Sequence, residues 1–444
     1  MNYIGWRSRK LIQKCKMALL LAVLVIAGSL LMPVNSLAQE VETKAKSAIL
    51  VDAETGDILF QKEAELTLPP ASMTKMMTEY LVMEAIEEGD ISWDTTTQIS
   101  DYPYSISANP SFSGVGLTQN KEYTVRALYE AMAINSDNAT AIALAELIAG
   151  SEGEFVKMMN EKAAELGMED YQFVNSTGLS NSDLGDNVPE GTSADDTNLM
   201  SAHAAATLAY HLVNDYPEAL EISGTPTTQF DGQEIQNWNW MIPGMPGYLS
   251  DFGYEGVDGL KTGYTEMAGN TFTGTAKQDG QRLISVVMKT ASREERFEET
   301  RKLFDYGFEQ FETQELYATG YQMENSTSLP VTKGKENSVA IETGEALSTM
   351  VKEGEEDSYS IEYELEEEEL TAPVESGQQV GQAKLVYDGE LPDGNIVKEN
   401  PNTVPVVTTS AVEKSNWFML TLGGIGGFFG DLFTGAVDMV KGWF

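Results

Sequence analysis

The sequence predicts an α+β protein: an antiparallel sheet covered by helices, then a small all-β domain and a C-terminal amphipathic helix. Three observations carry this reading. Strand-like runs flank a helical middle, at 48–60 and again at 256–289, as in one sheet built from both ends of a domain. Beyond residue 312 the pattern changes to short alternating runs, such as 358–365. From 416 to 444 apolar residues recur at helical spacing.

The first 38 residues have the three-part layout of a cleaved export signal. Arg7, Arg9, Lys10, Lys14 and Lys16 precede an uncharged apolar run at 17–32, and Ser36 and Ala38 are the small residues that a signal peptidase reads. The run is short for a permanent span, so the mature chain is expected to begin near Gln39, outside the cytoplasm. The sheet-bearing domain is expected over 39–312. It starts with a hairpin at 48–60, around the turn residues Glu54-Thr55-Gly56-Asp57. Pro69-Pro70-Ala71 then stops the chain and Ser72 opens a helix. Its Met73, Met76, Met77, Tyr80, Leu81 and Met83 cover most of the circumference, as in a buried element. Amphipathic helices follow at 124–134 and 139–149, interrupted by Ser136-Asp137-Asn138, and 175–196 is loop-like. Strands resume at 256–262, 270–276 and 281–289, the last two joined at Asp279-Gly280. Residues 292–311 are helical, with Phe297, Leu303, Phe304, Phe308 and Phe311 near i, i+3/i+4 spacing. The all-β domain is expected over 313–410, its acidic run 366–369 a solvated edge that discourages strand pairing. Residues 411–444 complete the chain as the terminal helix.

Composition excludes several functions. The net charge is −41, and more negative once the leader's cations are gone, so the surface repels nucleic acid and no nucleic-acid role is expected. The single cysteine, Cys15, lies in the leader, which leaves the mature chain without disulfides, a thiol nucleophile or a thiolate metal site. Both histidines, His203 and His211, lie in one helix-like stretch and read as ordinary helix surface. No H-E-x-x-H occurs and neither histidine stands in a nucleophile-elbow context, which speaks against a zinc protease and a Ser-His-Asp triad. No metal or cofactor is expected.

Three short motifs carry the chemistry: Ser72-Met73-Thr74-Lys75, Ser136-Asp137-Asn138 and Lys261-Thr262-Gly263. Taken singly, Ser72 reads as a helix cap, Lys75 as a surface residue and Ser136-Asp137-Asn138 as a turn. Their order and settings together point to an acyl-transfer site. Ser72 and Lys75, three apart on a helix, share a face, and the helix N-terminus favours a developing oxyanion. Lys75 among methionines is desolvated, and Lys261 as a second cation lowers its basicity further, so a neutral Lys75 can take the Ser72 proton. Ser136 can relay that proton to a leaving amine, and Asn138 can orient Lys75 or the substrate amide. Lys261 and Thr262 end an edge strand, where they offer donors to a carboxylate of an extended peptide, and Gly263 allows close approach.

With these motifs the chain resembles the low-molecular-mass penicillin-binding proteins of the type-5 group, D-alanyl-D-alanine carboxypeptidases of the S11 kind. Residues 70–78 and 258–265 resemble the family's first and third motifs, with Ala268-Gly269 continuing the third. Residues 173–179 resemble its loop signature. Leu370-Thr371-Ala372-Pro373 with Val380-Gly381 resembles its β-domain. The resemblance implies a β-lactamase/transpeptidase-like domain and a penicillin-sensitive enzyme that trims peptidoglycan stem peptides. It makes Ser72 the acylated nucleophile, Lys75 the base, Ser136 and Asn138 the second-motif pair and Lys261 the carboxylate anchor. The oxyanion hole falls to the backbone N–H groups of Ser72 and Tyr264. Arg293 or Arg296 assists carboxylate binding, and the spacing does not choose between them.

The family's C-terminal helix implies attachment to the outer face of the cytoplasmic membrane. Here Lys414 and Lys441 stand against Glu413, Asp431 and Asp438, so attachment is expected to be mostly hydrophobic. Two other readings share the motifs. A class A β-lactamase needs a loop glutamate, for which Glu190 is the candidate, and a non-catalytic penicillin-binding sensor would bind the drug and release no D-alanine.

Overall fold

The computed structural model describes residues 41–389, 394–397 and 403–415. The expected signal at 1–38 and nearly all of the expected helix at 411–444 lie outside the described residues.

Strand β1 (Ser47–Asp52) is buried along its whole length, and β2 (Ile58–Lys62) returns beside it. The turn between them is held by the Asp52 carboxylate, which accepts from the Glu54 and Thr55 amides and the Thr55 hydroxyl. Helix α1 (Lys75–Glu87) is enclosed on nearly every side, so its apolar residues show no single stripe. Helices α2 (Val125–Asn135) and α3 (Asn138–Ala149) are separated by Ser136, whose left-handed φ of 60° ends α2. Thr124 and Asp137 cap them by accepting the amides of Ala127 and Thr140. Helices α4 (Glu152–Glu165) and α5 (Ala202–Asp215) are capped in the same way by Ser151 and Ser201.

The chain then supplies β3 (Val257–Thr265), β4 (Gly269–Gln278) and β5 (Gln281–Thr290), followed by helix α6 (Arg293–Gln310) with Ser292 as its cap. The five strands form one antiparallel sheet in the order β2-β1-β5-β4-β3. Both ends of the domain meet at β1 and β5, in register from Ser47 opposite Met288 to Asp52 opposite Leu283. The α+β expectation is therefore borne out. Strand β3 runs three residues further than its apolar pattern implies, because Gly269 and Asn270 pair with Thr265 and Tyr264 across a tight turn. It is also a sheet edge, open along one side. The core runs between sheet and helices through α1, α2, α3 and α5. Fully enclosed side chains such as Phe272 and Phe297 contribute about 1.5–3 kcal/mol each.

The all-β domain comprises β6 (Phe311–Tyr317), β7 (Ser328–Thr332), β8 (Ser338–Thr343), β9 (Leu347–Lys352), β10 (Tyr359–Leu365), β11 (Leu370–Thr371), β12 (Gln379–Tyr387) and β13 (Thr403–Thr408). Six of them form the sheet β10-β12-β13-β8-β7-β11, and β6 pairs with β9. The acidic run 366–369 is exposed but forms the connection from β10 to β11, not a strand edge. His203 and His211 are half-buried on α5, not freely exposed as the helix-surface reading implies. Among the described residues no helix is long and apolar enough to cross a membrane.

Candidate active site

Ser72 does not open the α-helix directly. Ala71–Thr74 forms a 3₁₀ turn that leads into α1, entered through Ala71 at φ 49°. Side chains three apart eclipse in such a turn, and the Lys75 Nζ accordingly lies 3.1 Å from the Ser72 Oγ. Lys75 is fully buried. Its Nζ also donates to the Asn138 Oδ1 and the Thr177 carbonyl, each at 2.7 Å. The Asn138 Nδ2 donates to the Ser113 carbonyl, which fixes Oδ1 toward the lysine. Both partners accept only. A neutral amine has two N–H groups and one lone pair, so the lone pair is left for the Ser72 hydroxyl. Burial holds the lysine well below its ordinary range and Lys261 lowers it further, while Asp137, Glu79 and Glu152 oppose the fall.

The Thr177 carbonyl, which sequence reasoning missed, sits in a loop built for placement. The Asn175 Oδ1 accepts from the amides of Thr177 and Gly178 and from the Thr177 hydroxyl. Glu152 accepts from the amide and hydroxyl of Ser176, and the Thr78 hydroxyl donates to the Ser176 carbonyl. Gly178, at φ 84°, crosses so close to the turn before Ser72 that a Cβ would lie 1.9 Å from the Ala71 oxygen. The sequence signal was present in the loop signature at 173–179, but it named no partner for Lys75.

The second motif divides its work. Asp137 is structural: one carboxylate oxygen caps α3, and the other accepts the Val115 amide at 2.6 Å. That bond, with the Asn138 amide on the Ser113 carbonyl, fixes the segment that walls the cleft. Ser136 and Asn138 line the cleft itself.

From β3, Lys261 is buried and Thr262 nearly so. Burial pushes Lys261 down to about 8, with Glu79 opposing and Arg296 adding to the fall. Gly263 is packed where a Cβ would lie 2.4 Å from the Thr271 Oγ1 and 2.5 Å from the Pro70 oxygen, so the strand end can press against the turn carrying Ser72. Tyr264 is half-exposed at the mouth. Both candidate arginines reach the cleft: Arg296 is buried and donates to the Gly263 carbonyl at 3.3 Å, and Arg293 stands 5.1 Å over the Trp238 ring.

The cleft encloses about 230 Å³, lined by Ser72, Ser136, Asn138, Thr262, Gly263, Tyr264, Arg293 and Arg296. Ser111, Phe112, Ser113, Leu179 and Trp238 complete the wall, and of these only Leu179 carried a sequence signal, as the last residue of the loop signature. A larger cavity of about 660 Å³, beside 308–314 and 351–356, holds none of the motif residues. Among the described residues no group of His, Cys, Asp and Glu is placed to hold a metal ion.

Two family models match the chain: D-alanyl-D-alanine carboxypeptidase over residues 34–292, and penicillin-binding protein 5, C-terminal domain, over 311–414. The chain belongs to the D-alanyl-D-alanine carboxypeptidase family. This carboxypeptidase is 34% identical over 353 residues to the D-alanyl-D-alanine carboxypeptidase DacF of Bacillus subtilis, covering 79% of the chain and 84% of the relative. It is 31% identical to DacD of Escherichia coli over the same shares. Among solved structures it resembles a peptidoglycan synthesis regulatory factor (PBP3) from Streptococcus pneumoniae, with TM-score 0.72 and 37% identity over 84% of this chain and all of that one. Penicillin-binding protein 5 from Haemophilus influenzae gives a TM-score of 0.67 at 27% identity, over 84% and 99%.

The carboxypeptidase is thus a hydrolase of the penicillin-binding family. The β-lactamase and sensor readings are not favoured. Glu190, the glutamate the first would need, is exposed and lines no part of the cleft.

Proposed function

We propose that the carboxypeptidase removes the terminal D-alanine of peptidoglycan stem peptides through an ester on Ser72. The Ser72 Oγ attacks the carbonyl carbon of the penultimate D-alanine, and its proton passes to the Lys75 Nζ. The backbone N–H groups of Ser72 and Tyr264 receive the oxyanion. As the C–N bond breaks, the proton returns through the Ser136 hydroxyl to the leaving amine, and D-alanine departs. Water then attacks the ester, gives a proton to Lys75, and releases the shortened peptide as Ser72 regains its hydrogen. Lys261, Thr262 and the arginines hold the terminal carboxylate, and penicillin enters the same cleft to acylate the same oxygen.

The observation that carries this reading is the buried Lys75 Nζ at 3.1 Å from the Ser72 Oγ with its other two partners both acceptors. The export pattern at 1–38 and the apolar periodicity at 416–444 support a peripheral position on the outer face of the cytoplasmic membrane. D-Alanine release from a diacylated tripeptide ending in D-Ala-D-Ala tests the reaction. Wild type should release one D-alanine per peptide and Ser72→Ala none; equal release by both would reject Ser72.

A further inference from the structure

Two side chains of the cleft take no part in the proton transfers: the half-buried indole of Trp238 and the exposed guanidinium of Arg293. Trp238 is presented by a rigid segment. Its neighbours Asn237 and Asn239 are buried. The Asn237 Nδ2 donates to the Ser223 and Thr225 carbonyls, each at 2.9 Å, and the Asn239 Nδ2 to the Gly259 carbonyl at 3.1 Å. Trp238 itself donates its indole N–H to the Asn135 carbonyl at 2.9 Å and its amide to the Ile134 carbonyl at 3.3 Å. The ring is therefore fixed at the end of α2, beside Ser136, the second-motif residue that serves the leaving amine. Arg293 comes from the β3 side of the cleft. It opens α6 one turn before Arg296, so the two share a helix face. Arg296 donates to the Gly263 carbonyl on β3 at 3.3 Å, while the Arg293 guanidinium carbon stands 5.1 Å from the centre of the Trp238 ring. That contact joins the wall carrying the second motif to the wall carrying the third, at the end where the leaving residue and its carboxylate lie.

We propose that Trp238 and Arg293 are specificity-determining residues that close the leaving-group end of the cleft: one terminal residue with a free carboxylate is accepted, and a leaving group that continues beyond it is refused. This rests on the carboxypeptidase reading above and makes the protein an exopeptidase that leaves cross-linked peptides uncut. A terminal carboxylate gives the Arg293 guanidinium an anion to face when the cleft is filled. A chain that continues past that residue brings no carboxylate there to offset the desolvation of the guanidinium, and it runs into an indole that its hydrogen bonds hold in place.

The test compares the diacylated tripeptide ending in D-Ala-D-Ala with the same peptide extended by one glycine, whose leaving group is D-Ala-Gly. Products are quantified by mass spectrometry and read as the ratio of kcat/KM for the two substrates, which does not depend on the fraction of active enzyme. Wild type should favour the D-alanine terminus by at least about a hundredfold, and Trp238→Ala should narrow that ratio by about tenfold or more, the scale on which a pocket wall discriminates. Trp238→Phe keeps a ring and should stay near wild type. Arg293→Ala should narrow the ratio in the same direction, and since Arg293 is exposed its removal leaves the fold in place. Wild-type release of D-Ala-Gly as fast as D-alanine would overturn the proposal, as would an unchanged ratio in either folded alanine variant. Failure of wild type to release D-alanine at all would reject the carboxypeptidase reading, and the proposal with it.

Discussion

Gly178→Ala tests the back wall of the cleft with a single methyl group. Gly178 sits at φ 84°, and a Cβ there lies 1.9 Å from the Ala71 oxygen, 2.3 Å from its carbon and 3.0 Å from the Ser72 nitrogen. All three are backbone atoms, so no side chain can swing aside. A left-handed residue with a Cβ costs about 1–2 kcal/mol, and overpacking typically adds about 1–3, for a loss of roughly 2–5 kcal/mol. Relief requires the loop and the turn to part by about 1.5 Å before ordinary contact returns. Thr177, the residue before Gly178, holds the Lys75 Nζ at 2.7 Å through its carbonyl. Ser72 follows Ala71, so the same displacement draws base and nucleophile apart. Misplacement by about 1 Å costs on the order of a hundredfold in rate. Stopped-flow acylation by a fluorescent penicillin, with thermal unfolding in parallel, should show about a hundredfold slower acylation and a lowered Tm. Wild-type acylation with an unchanged Tm would refute the claim that loop, turn and base are mutually positioned.

Lys75→Arg keeps a positive charge but offers no neutral base, so acylation at pH 7 should fall by at least about two orders of magnitude in the same assay. Asp137→Ala removes the cap of α3 and the tether on Val115; denaturant unfolding should show a loss of about 1–3 kcal/mol, with a weakened cleft wall visible as a higher KM. Removal of 413–444 should leave D-alanine release from small peptides intact and abolish sedimentation with lipid vesicles. Binding of the full-length protein should change little with salt, since the tail carries few cations, and a steep salt dependence would indicate an electrostatic tether instead.

The chemistry was legible where it is written in side chains at short spacing. Ser72 and Lys75 could be paired because three residues along a helical turn bring them together, and the methionines around Lys75 announced its burial. The sheet was legible because apolar runs adjoin the turn residues at 54–57 and at Asp279-Gly280. Other features depend on contacts between distant segments and leave no local trace. The Thr177 carbonyl is a backbone group and has no residue signature. The turn at Ser72 is packed through Ala71 against Gly178, more than a hundred residues away. Trp238 is held at the cleft by contacts across the fold, its indole N–H on the Asn135 carbonyl at 2.9 Å and its amide on the Ile134 carbonyl at 3.3 Å.

The bond that forms at Ser72 is the most direct test of the mechanism. Incubation with penicillin followed by intact-mass analysis and peptide mapping should show one stoichiometric ester on the peptide containing Ser72 in wild type, and no adduct in Ser72→Ala. An adduct of the same mass and yield in Ser72→Ala, or one mapped to any other residue, would contradict it.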